Sequence, residues 1–393
     1  MSNVLLNVNQ ITNAALPILH QKLNFVGSIN RTYDDSYARS GAKIGSTLRI
    51  RLPNQFTTTT GPALSTQDVA ENNTTLTVAT QRHVDVNLTS AELTMNIFDF
   101  SQQVLEPAMA VLAAQIEADA MSMFTSVYNV SSVAGSAQTF RNVLNARKIL
   151  LDNLAPPDSN QMCRLNTQDN VDLVDQLKGL FNDQTQIKRQ YSEGVMGRTA
   201  GLEFAQNTII PAFTPGARNT AYLINGASQT GSSLIVDTGS GAMVVGDVFT
   251  IAGVYRVHPE TKATTTTLQQ FVVTAAYSGG SGTISISPAI VTTGATQNVS
   301  AAPADNAAIT FVGTASTATG QSIVYHRDAF AFATADLIMP EGVDFAKRAV
   351  QDGISLRIVR QYDINNDRYP CRMDVLYGYN AIRPQLAVRT FAN

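Results

Sequence analysis

Cysteine is nearly absent from this chain: Cys163 and Cys371 are the only two among 393 residues. Neither has a second cysteine or a histidine at metal-ligand spacing, which excludes a disulfide framework and leaves no zinc signature. A reducing compartment is the expected setting. Charge is scarce as well. Charged residues make up 15% of the chain, against about 25% in an ordinary soluble domain. So much uncharged surface is expected to be covered by something, and self-association is the simplest cover. The net charge of −3 argues against binding DNA by neutralising phosphates, which needs clustered Lys and Arg. It is compatible with enclosing DNA, because a weakly anionic lining does not stick to it. No apolar run approaches the roughly 20 residues of a membrane span. The N-terminus also lacks the basic-then-apolar order of a signal peptide.

The motifs of catalysis are missing too. His20, His83, His258 and His326 are scattered along the sequence. Gly41-Ala-Lys43 lacks the rest of a phosphate loop. Gly279, Gly280 and Gly282 flank Ser281, but Thr283 stands where a nucleophile elbow needs its last glycine, so a hairpin turn is expected there. Asp363, Asn365 and Asp367 open like a calcium loop, with Asp374 at the twelfth position. Arg368, however, replaces the glycine that such a loop needs, and a polar turn between strands is expected instead. No catalytic, cofactor-binding or metal-binding residue is expected, and the chain reads as a structural protein.

What is present is pattern. The chain length predicts two to three domains. Val4, Val8, Ile11, Ala15, Ile18 and Leu19 form a helical stripe broken at Pro17. Residues 46–53 then alternate strictly, with Leu48, Ile50 and Leu52 opposite Arg49 and Arg51. A polar stretch over 57–73 leads to a second alternating run over 74–89, through Leu76, Val78, Val84, Val86 and Leu88. Two long strands around a polar tip make an extended β-arm. Such an arm buries little within one chain and invites a neighbour. The candidate inter-subunit contacts are therefore Arg49, Arg51, Thr57, Gly61, Asn73 and Arg82. Arg49 and Arg51, with Arg39 and Lys43 nearby, form the most basic region. Three roles stay open for it: a solvated strand face, contact with an acidic patch on a neighbouring subunit, or contact with nucleic acid.

Residues 101–128 carry apolar residues every fourth position, through Val104, Ala108, Leu112, Ile116, Ala120 and Phe124, and predict the longest helix. A second helix is expected over 137–154 with Ser136 as N-cap, ended by Pro156-Pro157. A short strand over 162–165 then precedes a helix to about residue 181, capped by Thr167. Between 222 and 321 the only charged residues are Asp237, Asp247, Arg256, Glu260, Lys262 and Asp305. Alternating runs over 232–236, 244–252, 270–275 and 283–287 predict an inserted all-β module of barrel or sandwich type. Strands are expected afterwards over 323–326, 330–333, 354–361 and 372–377. No repeat of solenoid period is present.

Five short segments carry a resemblance. They are Asn166-Thr-Gln-Asp169, Gly197-Arg-Thr-Ala-Gly-Leu-Glu-Phe204 followed by Ile209-Ile-Pro211, Met243-Val-Val-Gly-Asp-Val-Phe-Thr-Ile-Ala-Gly-Val254, Tyr325-His-Arg-Asp-Ala-Phe330 and Tyr377-Gly-Tyr-Asn-Ala-Ile-Arg-Pro384. In this order they resemble segments of the major capsid (coat) proteins of short-tailed double-stranded-DNA bacteriophages. These are the branch of the Hong Kong ninety-seven type capsid fold with an inserted β-domain. The resemblance implies an α+β capsid fold: an N-terminal arm (1–45), an extended β-arm (46–90), a spine helix and peripheral domain (91–135), the first part of an axial domain (136–221), an inserted barrel-like β-domain (222–321), and the axial and peripheral return (322–393). It implies a non-enzymatic subunit that self-assembles through hexamers and pentamers into an icosahedral shell around packaged DNA, without sequence-specific DNA binding. Scaffolding and portal proteins are the implied partners, with a decoration protein as an optional one. Assembly in the host cytoplasm, virion localisation and no membrane contact follow. Three competing classes are a host-encoded (encapsulin-like) compartment shell, a β-rich surface or decoration protein, and an unrecognised hydrolase. The β-rich insertion favours the viral branch, the helices argue against a pure β-fibre, and the empty motif search disfavours a hydrolase.

Overall fold

The four-residue spacing of apolar side chains after residue 104 produces helix α1 (Glu106–Met121) in the computed structural model. It buries Ala108, Met109, Leu112, Ala113, Ile116, Ala120 and Met121 along one stripe. The structure describes residues 23–32, 45–64, 66–68, 71–89, 106–133, 135–177, 197–351 and 354–392. The N-terminal stripe up to residue 22, Arg39, Lys43 and the expected helix ends at 101–105 and 178–181 lie outside these. Pro107 occupies the first turn of α1, where its missing N–H costs nothing. The helix does not run to residue 128 as expected. It tightens into a 3-10 turn (Ser122–Ser126), where the Thr125 hydroxyl donates to the Ser122 carbonyl at 2.9 Å.

The chain forms two compact units. The first takes in residues 1–50, 75–121 and 330–382. Its sheet is antiparallel, in the order Phe330–Ala335, Arg368–Ala381, Ile354–Arg360, Phe345–Gln351. Three of these match expected strands; Phe345–Gln351 had no alternating signal and was not foreseen. The expected arm strand over 74–89 is in fact two strands. β2 (Asn73–Val78) pairs with β1 (Ser46–Arg51), whereas β3 (Thr80–Thr89) pairs with Arg368–Ala381. Half of the apparent arm is therefore part of a sheet. Gly378 explains part of this geometry: a Cβ there would lie 2.2 Å from the Thr77 carbonyl oxygen. Only glycine lets the end of β2 cross so near the long strand. Asn380 adds a side-chain donor to the Thr75 carbonyl.

The second unit takes in residues 51–74, 122–329 and 383–393. A six-stranded mixed sheet runs in the order Val130–Ser132, Ala387–Phe391, Ser322–His326, Gln161–Leu165, Leu202–Gln206, Arg198–Thr199. Helices α2 (Phe140–Asp152) and α3 (Thr167–Leu177) pack on it. The caps differ from expectation. Thr139, not Ser136, caps α2 by accepting from the Asn142 amide at 3.1 Å. Asn166, not Thr167, caps α3 by accepting from the Asp169 amide at 2.7 Å. In each case the residue three positions before the donating N–H is the one with reach.

The insertion is a nearly closed barrel-like sheet in the order Ile309–Phe311, Val248–Val257, Thr264–Val273, Gly282–Ile290, Gly231–Asp237, Leu223–Ile224. Bonds from the Ile309 amide to the Tyr222 carbonyl (3.1 Å) and from the Ile224 amide to the Ala307 carbonyl (3.0 Å) join its two ends. Closure removes the free edges that an open sheet would present. Tyr222, Leu234, Phe249, Ile251, Phe271 and Ile284 fill the interior. Burying each such side chain contributes about 1.5–3 kcal/mol. The strand expected over 244–252 starts late, because residues 244–247 form a turn closed by Asp247, which accepts from the Val244 amide at 2.9 Å.

Candidate functional site

The arm begins where Arg49 and Arg51 project from β1, both exposed, while Ile50 between them is buried. Period-two alternation produces this split. Arg51 meets Glu71 of the same arm at 3.5 Å, with both side chains largely in solvent, so the contact is weak. Asn73 opens β2 on the exposed side. Beyond the strands, Thr57 and Gln67 clamp the tip: the Thr57 amide and hydroxyl donate to the Gln67 side-chain oxygen at 2.9 and 3.0 Å. Gly61 sits in the tip at φ +113°, a backbone region closed to most residues. The tip also displays Phe56 at 57% exposure and Leu64 at 91%. Two large apolar side chains in a polar loop were legible in the sequence as exceptions to its composition, but were not singled out.

Arg82 stands apart from these five residues. It lies on β3 and forks onto Asp119 of α1, with Nε and Nη2 donating at 2.9 and 3.0 Å. Burial alone would raise the Asp119 carboxyl, but hydrogen bonds from Arg82, Tyr377 and Gln115 hold it below its usual range. Arg82 is therefore engaged within its own chain.

Three buried charged centres escaped sequence reasoning. Glu117 is fully buried on the core stripe of α1, and its carboxylate accepts from the backbone amides of Phe25 and Val26, the latter at 3.1 Å. It thus fixes the start of the 3-10 turn Val26–Ser28. Asp374, also fully buried, accepts from Arg357 (3.0 and 2.6 Å), Arg372 (3.1 Å) and Gln81 (2.8 Å), tying three strands together. In the second unit, Asp247 accepts from the amides of Val244 and Gly216 and lies 3.4 Å from Arg218 Nε. Arg389 lies over the rings of Phe124 and Phe213 and donates to the Gly246 carbonyl at 2.7 Å. Burial lifts the Asp247 carboxyl and lowers Arg218, so desolvation outweighs their mutual attraction. Sequence does not show which strand or turn will cover each of these acids.

The residues weighed for chemistry have structural roles. Asp363 is committed to its own turn, accepting from the Asn365 amide, Asn366 Nδ2 and Arg368 Nε at 3.1, 2.8 and 3.0 Å. Buried His326 accepts the Asp328 amide at Nδ1 (3.2 Å) and meets Asp158 at Nε2 (3.2 Å). Both cysteines are free; burial pushes the Cys371 thiol up to about 11 and Cys163 further still. Such thiols are inert.

The arrangement is that of a scaffold: a closed β-module, sheets pinned by buried ion clusters, and a long arm with an exposed apolar tip. The sequence profile described as "P22 coat protein - gene protein 5" matches residues 32–391. The chain belongs to the P22 coat protein family. This coat protein is a bacteriophage major capsid protein and forms the phage shell by self-association. A stretch covering 24% of this chain is similar to the CUS-3 coat protein I-domain, at 33% identity over 98% of that one, with a TM-score of 0.20. The capsid of Ralstonia phage GP4 matches at 7% identity over 93% of this chain and 87% of that one, TM-score 0.45. Mycobacterium phage Che8 matches at 10% identity over 93% and 90%, TM-score 0.44. No curated protein matches the coat protein's sequence. The α+β architecture with a barrel-like insertion is the fold the resemblance implied.

Proposed function

We propose that this coat protein joins neighbouring subunits through its β-arm, with Arg49, Arg51 and Asn73 on the strands and Thr57 and Gly61 at the tip. The observation that supports this is the exposure of Phe56 and Leu64 in a loop with no core of its own. Apolar anchors of this size belong in a partner's pocket. Arg82 acts differently: it holds β3 against α1 and contributes to the interface by keeping the root of the arm rigid. The six-segment division into arms, peripheral, axial and inserted domains describes the working parts of the subunit.

Hexamers and pentamers of this subunit build an icosahedral shell in the host cytoplasm, with a scaffolding protein and a portal protein as partners and a decoration protein as an optional one. The shell encloses DNA without reading its sequence, consistent with the net charge of −3. The protein has no catalytic role; its buried acids and histidine serve as pins. Many weak identical contacts acting together hold such a shell. Hydrogen exchange tests the arm's role. Amides of residues 57–73 are expected to exchange quickly in the unassembled subunit and to be protected in shells. Equal exchange in both states would overturn the arm's role without touching the family.

A further inference from the structure

A cavity of about 240 Å³ opens in the second unit where the end of α2 meets the hairpin between Val248–Val257 and Thr264–Val273. Its charged lining residues are Arg256 and Lys262, and among the described residues no carboxylate lines it. The remaining polar walls are amides, including Gln55, Asn153 and Gln297, together with the Thr296 hydroxyl and the Tyr128 phenol.

Within the lining, the two cations bond neutral oxygens. Arg256 uses Nη1 on Asn153 Oδ1 at 3.3 Å and Nη2 on Asp152 at 3.4 Å, outside the lining. Its Nε is buried without a hydrogen-bond partner. Lys262 gives two of its three N–H bonds to the Pro259 and Gln297 carbonyls, at 2.6 and 3.3 Å. The third has no protein acceptor among the described residues. Burial raises the Tyr128 pKa, so its phenol stays protonated and keeps an O–H to donate. Asp152 offsets one of the two cations, which leaves the site net positive. Two cations and spare donors around a half-open cavity match a compact group rich in acceptors. An oxyanion supplies that; a cation or an apolar group does not.

We infer that this cavity between α2 and the inserted barrel binds a small oxyanion, a phosphate or carboxylate group, held by Arg256 and Lys262. The bound group takes the remaining N–H of Lys262 and pairs with the Arg256 guanidinium, offsets the burial that lowers the Lys262 amine, and ties the hairpin to the helix end. It stiffens the insertion against the rest of its unit. The same chemistry has two sources: a free anion from solution, or an acidic side chain of a neighbouring subunit in the shell.

The test uses the full coat protein, first unassembled and then as shells, with inorganic phosphate as the probe and chloride at matched ionic strength as the control. Phosphate is expected to raise the melting midpoint of the unassembled subunit saturably, by about 2–4 °C. It is also expected to broaden in its phosphorus NMR line on addition of the protein. Arg256→Gln and Lys262→Gln should each abolish both effects while circular dichroism stays native. Arg256→Lys, which keeps the charge without the planar fork, should weaken them severalfold. A phosphate response that persists in shells identifies a free anion. One that vanishes on assembly identifies a neighbour's carboxylate. No phosphate-specific shift or broadening in the unassembled subunit overturns the inference, as does an unchanged response in the folded Gln variants.

Discussion

Replacing Asp247 with alanine removes the carboxylate that, among the described residues, faces Arg218 and Arg389 inside the second unit. The side chain is fully buried, and the two arginines are 4% and 2% exposed. The substitution leaves two buried guanidinium groups without counter-charge and orphans the amides of Val244 and Gly216. Breaking a buried pair from one side costs about 3–5 kcal/mol, a large share of the 5–15 kcal/mol or so that holds a typical protein folded. Asp247→Asn retains an acceptor for both amides and should cost less, because only the charge is lost. Arg218→Met removes the other half of the pair and relieves its desolvation. Combined with Asp247→Leu, it should restore part of the loss, since burial penalises both groups more than they attract each other. The assay is urea unfolding of the unassembled subunit by circular dichroism, arranged as a double-mutant cycle. A cost below about 1 kcal/mol for Asp247→Ala, with no coupling to Arg218, would refute the claim that this centre pins the insertion.

Three further outcomes follow from the same physics. Burial pushes the Asp169 carboxyl up to about 6 despite donors from Ser322 and Gln138. The folded state therefore binds more protons than the unfolded state between the usual carboxylate range and about pH 6, and stability falls as pH rises through that window. Asp169→Asn should remove this slope and gain up to about 3 kcal/mol at neutral pH relative to acid; identical profiles for both proteins would contradict it. Gly378→Ala should destabilise the first unit by about 1–3 kcal/mol, because the new Cβ must displace the Thr77 carbonyl. A neutral effect in urea unfolding would show that β2 can give way. The fragment 222–321 should fold alone into a β-rich module with a cooperative melt, since its barrel closes on itself. An unfolded circular dichroism spectrum would count against that.

Periodicity made α1, α2 and most barrel strands visible, because apolar side chains at spacing four or two leave few other choices. It failed wherever the decisive fact was a partner. The run over 74–89 keeps one parity from Leu76 to Leu88, yet its halves pair with different strands, and alternation is blind to which edge a strand meets. Ala387–Phe391 is buried on every residue, including Arg389, so it has no alternation to read. Phe345–Gln351 is an edge strand whose exposed residues mask its period. Glu117 sits on the core stripe of α1, where a charge contradicts the pattern until the Phe25 and Val26 amides are seen to face it. At the arm, Arg49 and Arg51 lie on the exposed face where alternation placed them, whereas Asn73, read as the end of the polar stretch, opens β2. Arg82 did not join them, because its acid partner lies on α1, at a distance in sequence that no local pattern spans.

Electron microscopy of the purified, overexpressed coat protein, alone and with a scaffolding protein from the same genome, tests self-assembly most directly. Closed, roughly isometric shells or large curved fragments are predicted. Small soluble particles under every condition would contradict the shell-forming role.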